Sequence, residues 1–138
     1  GVADELARGT DITPTEESIA LTGRRLEMSL EKTDRVPDLV VVHDPSAAAG
    51  VMGRVPLIVH GHIHRFRMEK INGTVVIGPG TTGGAGIQSF QQEKEIPLGM
   101  ALLTFGRQGG GWVLNTVDRV EFYARDGAFI IERRAASA

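Results

Sequence analysis

Apolar positions along the chain fall first into a helix-spaced block and then into strand-spaced ones. Ile19, Thr22, Leu26 and Leu30 recur at intervals of three and four, with Leu21 and Met28 widening the stripe and Arg24, Arg25 and Glu31 on the polar side. Thr13-Pro14-Thr15-Glu16 reads as the start of this helix: Thr13 caps it, Pro14 takes the first helical position, and Glu16 stands where a capping box places its carboxylate. Gly23 inside the helix costs about 1 kcal/mol relative to alanine, which points to close backbone packing at that position. The helix should end between Lys32 and Arg35, ahead of Pro37, and Gly1 to Asp11 reads as an irregular lead-in.

Asp38 to Val42 is a continuous apolar run, the pattern of a strand buried on both faces. His43-Asp44-Pro45 breaks it, Ser46 to Met52 suggests a short alanine-rich helix, and Pro56 to Val59 reads as a second buried strand. Strand, short helix, strand is the order of a parallel pair. Beyond it Arg65 to Ile71 alternates, with Phe66 and Met68 on one face and Arg65, Arg67 and Glu69 on the other. Asn72-Gly73 then joins it to Thr74 to Ile77, the strongest short-range hairpin signal, and sets Met68 opposite Ile77. A glycine-rich loop, Gly78 to Gly86, and a polar stretch, Ser89 to Glu95, follow. Met100 to Phe105, Trp112 to Thr116, Val120 to Ala124 and Ala128 to Glu132 read as antiparallel strands around turns at Gly109 to Gly111 and Asp126-Gly127, before a frayed tail from Ala135 to Ala138.

The pattern therefore predicts an α/β chain: one sheet with flanking helices and a β-rich C-terminal half, as a single domain over residues 1–138. Composition narrows the function. With a formal net charge of -2 there is no basic excess to hold nucleic acid or an anionic lipid surface. No apolar run approaches the roughly 20 residues that a bilayer requires, and no signal peptide is visible, so a soluble, cytoplasmic chain is expected. Zero cysteines exclude disulfides, thiol catalysis and cysteine-ligated zinc.

The chemistry gathers at histidine. Three of the four histidines lie in His60-Gly61-His62-Ile63-His64, directly after the Leu57-Ile58-Val59 run, and the fourth, His43, ends the preceding strand. Two strands that each end in histidine deliver imidazoles to one sheet edge, outside the carboxyl ends where α/β proteins gather ligands. Neutral imidazole binds zinc, manganese, iron and nickel. In an extended segment His62 and His64 would point to opposite sides and serve different ions, or one ion and something else, rather than one ion from one face. On spacing alone, a metal or phosphate site and a pair of turn histidines with one strand-end cap both remain open.

Gly61-His62-Ile63-His64 after an apolar strand, with His43 upstream and Asn72 to Gly83 downstream as a hairpin and glycine turn, resembles the carboxyl-terminal half of the calcineurin-like metallophosphoesterases. The resemblance covers roughly Asp38 to Phe105, and implies a partial metallophosphoesterase-like β-sandwich. It implies that His43 and His62 bind the second metal and His64 the first, so that two divalent or trivalent ions (manganese, iron or zinc) clamp a phosphoryl group of a phosphorylated substrate and acidify a bridging water. The activity it implies is metal-dependent hydrolysis of a phosphomonoester or phosphodiester. His60 falls where the family needs no ligand, and Arg65 and Arg67 read as solvated strand charges. The family's aspartate-x-histidine, glycine-aspartate-x-x-aspartate and glycine-asparagine-histidine motifs do not occur in these residues, and no histidine precedes His43. Three imidazoles split over two ions cannot form the usual centre alone. Two expectations follow: the missing N-terminal half or a second protomer completes the site, or the chain is a catalytically inactive binding or interaction domain of that shape. Either leaves sheet surface that needs a partner.

Overall fold

The computed structural model describes residues 15–82 and 96–136. The expectations for Gly1 to Asp11, the Thr13-Pro14 cap, Gly83 to Gly86, Ser89 to Glu95 and Ser137-Ala138 lie outside the described residues. Within them the expected class is observed: an α/β chain with a four-stranded sheet, helices beside it and a β-rich C-terminal half. The described chain divides into two compact units, one of residues 15–62 with Lys70–Val76 and one of Ile63–Glu69 with the residues from Ile77 onward.

In the first unit, α1 spans Glu16–Glu31. Its N-cap is Thr15, whose hydroxyl accepts from the Ser18 amide at 3.2 Å. Glu16 and Glu17 place negative charge in the first turn, where the helix dipole favours it. Gly23 is explained by packing: a Cβ there would stand 3.0 Å from the Ala47 carbonyl oxygen, so only glycine lets α1 lie this close to the next element. That element is a short 3-10 helix, Pro45–Val51, capped by the Asp44 carboxylate on the Ser46 amide at 2.8 Å. Leu26 is buried, but Leu21 and Met28 are exposed, so the buried stripe is narrower than the periodicity suggests.

Strands β1 (Val40–Val42) and β2 (Leu57–His60) pair in parallel, as expected, with Val42 beside His60. The sheet order is β1-β2-β4-β3, with β3 at Phe66–Ile71 and β4 at Thr74–Pro79. The expected burial of β1 on both faces fails. Val40 packs with Leu26, Ala48, Val51, Val55, Ile58 and Val76, whereas Val41 on the other face is 63% exposed. Among the described residues one layer of helix covers one face only, and β1 is the sheet's edge. Beside it opens a cleft of about 580 Å³ lined by Leu26, Leu30, Leu39, Val41 and His43. The β3–β4 turn forms as the sequence predicts, with Asn72 and Gly73 at φ 51° and 90°, the left-handed values a type I′ turn needs. Thr74 to Ile77 are buried, as befits an interior strand.

The second unit carries an antiparallel sheet of β5 (Leu98–Gln108), β6 (Gly111–Tyr123) and β7 (Ala128–Ala135), in that order. The runs Trp112 to Thr116 and Val120 to Ala124, expected as separate strands, are one strand. Val117, Asp118 and Arg119, which lie between the two runs, stay in unbroken register with Leu103, Leu102 and Ala101, so no turn separates them. Gly109 and Gly110 close the β5–β6 hairpin at φ 58° and 84°, outside the region that side chains favour.

Thr74 locks the first unit's strand starts together. Its hydroxyl donates to the Val55 carbonyl at 2.6 Å and accepts from the Gly53 amide at 2.8 Å, fully buried. Thr74→Val keeps the shape but strands both groups, and should cost about 2–4 kcal/mol, since each unsatisfied buried group costs about 1–3 kcal/mol. Urea unfolding of the two proteins measures it; equal midpoints would refute the role.

Candidate functional site

The parallel pairing of β1 with β2 sets the site's first half. Because Val42 and His60 are register partners, the residues that follow each strand leave the sheet side by side, and the Gly61 amide continues the ladder to the Val42 carbonyl at 3.2 Å. His43 and His62 converge there, with ring centroids 5.4 Å apart in an edge-on arrangement. Gly61 makes room for this: a Cβ on it would meet His43 Nδ1 at 3.2 Å. Asp44 joins them, its Oδ2 3.9 Å from His62 Nε2, while Oδ1 caps the 3-10 helix. That separation is too long for a hydrogen bond. It leaves the carboxylate and the imidazole facing one another with space between them.

His62 and His64 both adopt left-handed backbone, at φ 61° and 49°. The segment is therefore not extended, and the opposite-side argument for the two rings does not apply. Non-glycine residues in this region are uncommon, with histidine among the types that tolerate it, and such strain persists where surrounding structure holds it. His60 behaves as expected of a structural residue. It is buried, and its Nδ1 lies 2.9 Å from the Gly61 carbonyl oxygen. A carbonyl only accepts, so Nδ1 carries the proton and donates.

His64 belongs to the second unit, where it lines a cleft of about 470 Å³ with Arg65, Phe66, Arg119, Glu121 and Tyr123. The cleft is built on charge. Arg119 donates to Glu121 at 2.7 Å and to Glu132 at 3.3 Å, Tyr123 donates to Glu121 at 3.0 Å, and Arg134 holds Glu132 at 3.0 Å and 3.2 Å. The guanidinium groups of Arg119 and Arg134 lie over the Phe66 ring at 5.6 Å and 5.4 Å. The hydrogen bond to Glu121 pushes the Arg119 guanidinium above its ordinary value, and that from Arg134, aided by Arg119, holds Glu132 below the usual carboxylate range. Sequence reasoning missed Arg119, Glu121 and Tyr123. The available signal was their spacing of two on one strand, which puts all three on one face.

The candidate ligands are thus distributed: His43 and His62, with Asp44, in the first unit and His64 in the second. Among the described residues no group of three or more histidine, aspartate or glutamate side chains stands close enough together to hold a metal ion. The donors at the ends of β1 and β2 have suitable chemistry for a transition metal but do not close a coordination sphere. No helix among the described residues is long and apolar enough to cross a membrane.

No family model and no curated protein matches the sequence. Solved structures of Vps29 do share a loose likeness. A double mutant of Vps29 from Entamoeba histolytica aligns with 67% of this chain and 47% of its own, at 17% identity and a TM-score of 0.43. Vacuolar protein sorting 29 from Cryptosporidium parvum aligns with 66% of this chain and 43% of its own, at 26% identity and a TM-score of 0.41. Wild-type E. histolytica Vps29 complexed with zinc covers 94% of this chain and 51% of its own, at 13% identity and a TM-score of 0.41. The chain spans about half the length of these structures.

The ion pairs of the second unit carry a pH signature. Glu132 and Asp118 are both held below their ordinary values, Asp118 chiefly by its paired hydrogen bonds from Arg133 at 2.7 Å and 2.8 Å. A carboxyl lowered on folding stabilises the fold fully above its unfolded value, and that contribution is lost as pH falls through the lower folded value. The melting temperature should therefore drop on acidification below the ordinary carboxylate range. Carrying both Asp118→Asn and Glu132→Gln should flatten that drop; an unchanged slope by calorimetry would show that the pairs contribute nothing.

Proposed function

We propose that this chain supplies the C-terminal portion of a metallophosphoesterase site for hydrolysis of a phosphomonoester or phosphodiester. His43 and His62 would ligate one ion and His64 another. The observation that carries the reading is the convergence of His43 and His62 at the carboxyl ends of two parallel strands, in a seat that a side chain on residue 61 would narrow. Manganese, iron or zinc, when bound, supplies Lewis acidity toward a phosphoryl oxygen and activates water. The chain's own part is to hold two imidazoles edge to edge, with Asp44 beside them, and to fix the backbone of the Gly61–His64 turn. The remaining ligands come from a missing N-terminal half or a second protomer. The position of β1 at the sheet edge among the described residues, with an apolar cleft beside it, supports that reading, since a neighbouring element could pack there.

A second reading, a catalytically inactive domain of this shape that binds a partner, is favoured by one observation: no closed set of metal ligands among the described residues.

Equilibrium dialysis against manganese and zinc separates them. The first reading expects the chain alone to bind a single ion weakly, to lose it in His62→Ala, and to bind it several-fold more weakly in Gly61→Ala, whose methyl presses on the His43 ring. It also expects the chain alone to leave an aryl phosphate intact, and a longer protein carrying an aspartate- and histidine-containing N-terminal half to hydrolyse it and to lose turnover on His64→Ala. No metal uptake by the chain together with an inactive longer protein would leave the binding-domain reading standing.

A further inference from the structure

The cleft of about 470 Å³ lies wholly in the second unit and falls in the range of small-molecule sites, about 300–1,000 Å³. Backbone fixes one wall of it. The Gly99 amide donates to the Thr81 carbonyl at 2.8 Å, and a Cβ on Gly80 would stand 3.3 Å from the Gly99 Cα. Glycine at both positions therefore lets the chain after β4 lie against the start of β5. Phe66, Ile96 and Pro97 add apolar lining. Two polar groups of the lining are left over once the internal ion pairs are made. The first is on Glu121, whose side chain is only 5% exposed. Its Oε2 accepts from both Arg119 and Tyr123, whereas its Oε1 accepts from no described residue. Among the described residues Arg119 Nε is the sole enclosed side-chain polar atom without a partner. Oε1 therefore keeps an opening, and the space that Glu121 lines is this cleft. The second group is the exposed Arg65 guanidinium. Arg119 is bonded to two carboxylates, but Arg65, the other arginine of the lining, has no hydrogen bond or ion pair among the described residues.

We propose that this cleft binds a small organic anion that also carries a hydroxyl or amino group, with the anion against Arg65 and the donor on Glu121 Oε1. An ionised carboxylate only accepts, and polar atoms at such depth are ordinarily paired, so this wall calls for an O–H or N–H. An unpaired guanidinium calls for a carboxylate or a phosphate, which its planar fork holds through parallel hydrogen bonds. Both a hydroxylated phosphate ester and a hydroxylated carboxylate have this chemistry. The bonds from Arg119 and Tyr123 hold Glu121 in place before a ligand arrives, so its side chain needs little further ordering on binding. The site stands independently of the metal reading, since neither recognition group is a metal ligand in it.

Ligand-observed NMR titration of the full chain, in excess chelator so that no metal takes part, tests it. Glucose 6-phosphate and gluconate each carry both groups, glucose lacks the anion, and phenyl phosphate lacks the hydroxyl donors. At least one of the first two should bind saturably, and the tighter of them names the anion. Glucose and phenyl phosphate should each bind about tenfold more weakly or worse, the loss of one charge-assisted hydrogen bond. Arg65→Ala, at an exposed position, should bring the tighter probe down to the level of glucose. Glu121→Gln, its fold checked by circular dichroism, should weaken that probe by a similar factor, because the amide oxygen stays with Arg119 and Tyr123 and the NH₂ presents a donor instead. Arg67→Ala, on the same strand but outside the cleft, should change nothing. Failure of both full probes to bind, equal binding of phenyl phosphate or glucose, or indifference to Arg65→Ala would overturn the proposal.

Discussion

The parallel pairing of β1 and β2 is the constraint from which the first unit takes its shape. Parallel strands bring their carboxyl ends to one edge, and the register that sets Val42 beside His60 decides that His43 and His62 leave that edge together. A slip of one residue would send each of these side chains to the other face. Gly61 and the left-handed His62 complete the arrangement, one by giving up volume and the other by turning the backbone. The helical layer serves the same pairing. Gly23 lets α1 approach the 3-10 helix, and both cover Val40 and Ile58 from one side.

The two units solve burial differently. The first has an aliphatic core around Val51, Ile58 and Val76, with one buried hydroxyl, Thr74, satisfied twice over. The second turns the network of Arg119, Glu121, Glu132 and Arg134 toward Phe66 and leaves Leu98, Met100, Leu102, Phe129 and Ile131 exposed. Buried ion pairs contribute little net stability, since desolvation offsets the attraction, but removing one partner leaves an expensive bare charge. Such a network therefore fixes the geometry of the cleft beside His64 more than it strengthens the fold.

Much of this was legible in the chain. The Asn72-Gly73 hairpin follows from local backbone preference, because few other residue pairs accept two left-handed positions in succession. The parallel pair follows from two β-branched runs joined by an alanine-rich link. The structural role of His60 and the packing reason for Gly23 were likewise foreseeable. The union of two expected strands into β6 was not, since Asp118 and Arg119 read as a polar break and only their pairing with Leu102 and Ala101 keeps them in one strand.

The sequence by itself determined the element types, the gathering of histidines at strand ends and the α/β class, because each rests on short-range periodicity or the backbone limits of single residues. Only the tertiary structure decided that Val41 faces solvent, that Asp44 stands beside His62, and that Arg119, Glu121 and Tyr123 share a cleft with His64. Those outcomes depend on which face of a strand a distant segment covers. The alternation of a strand states that two faces differ, and only packing chooses the one turned inward.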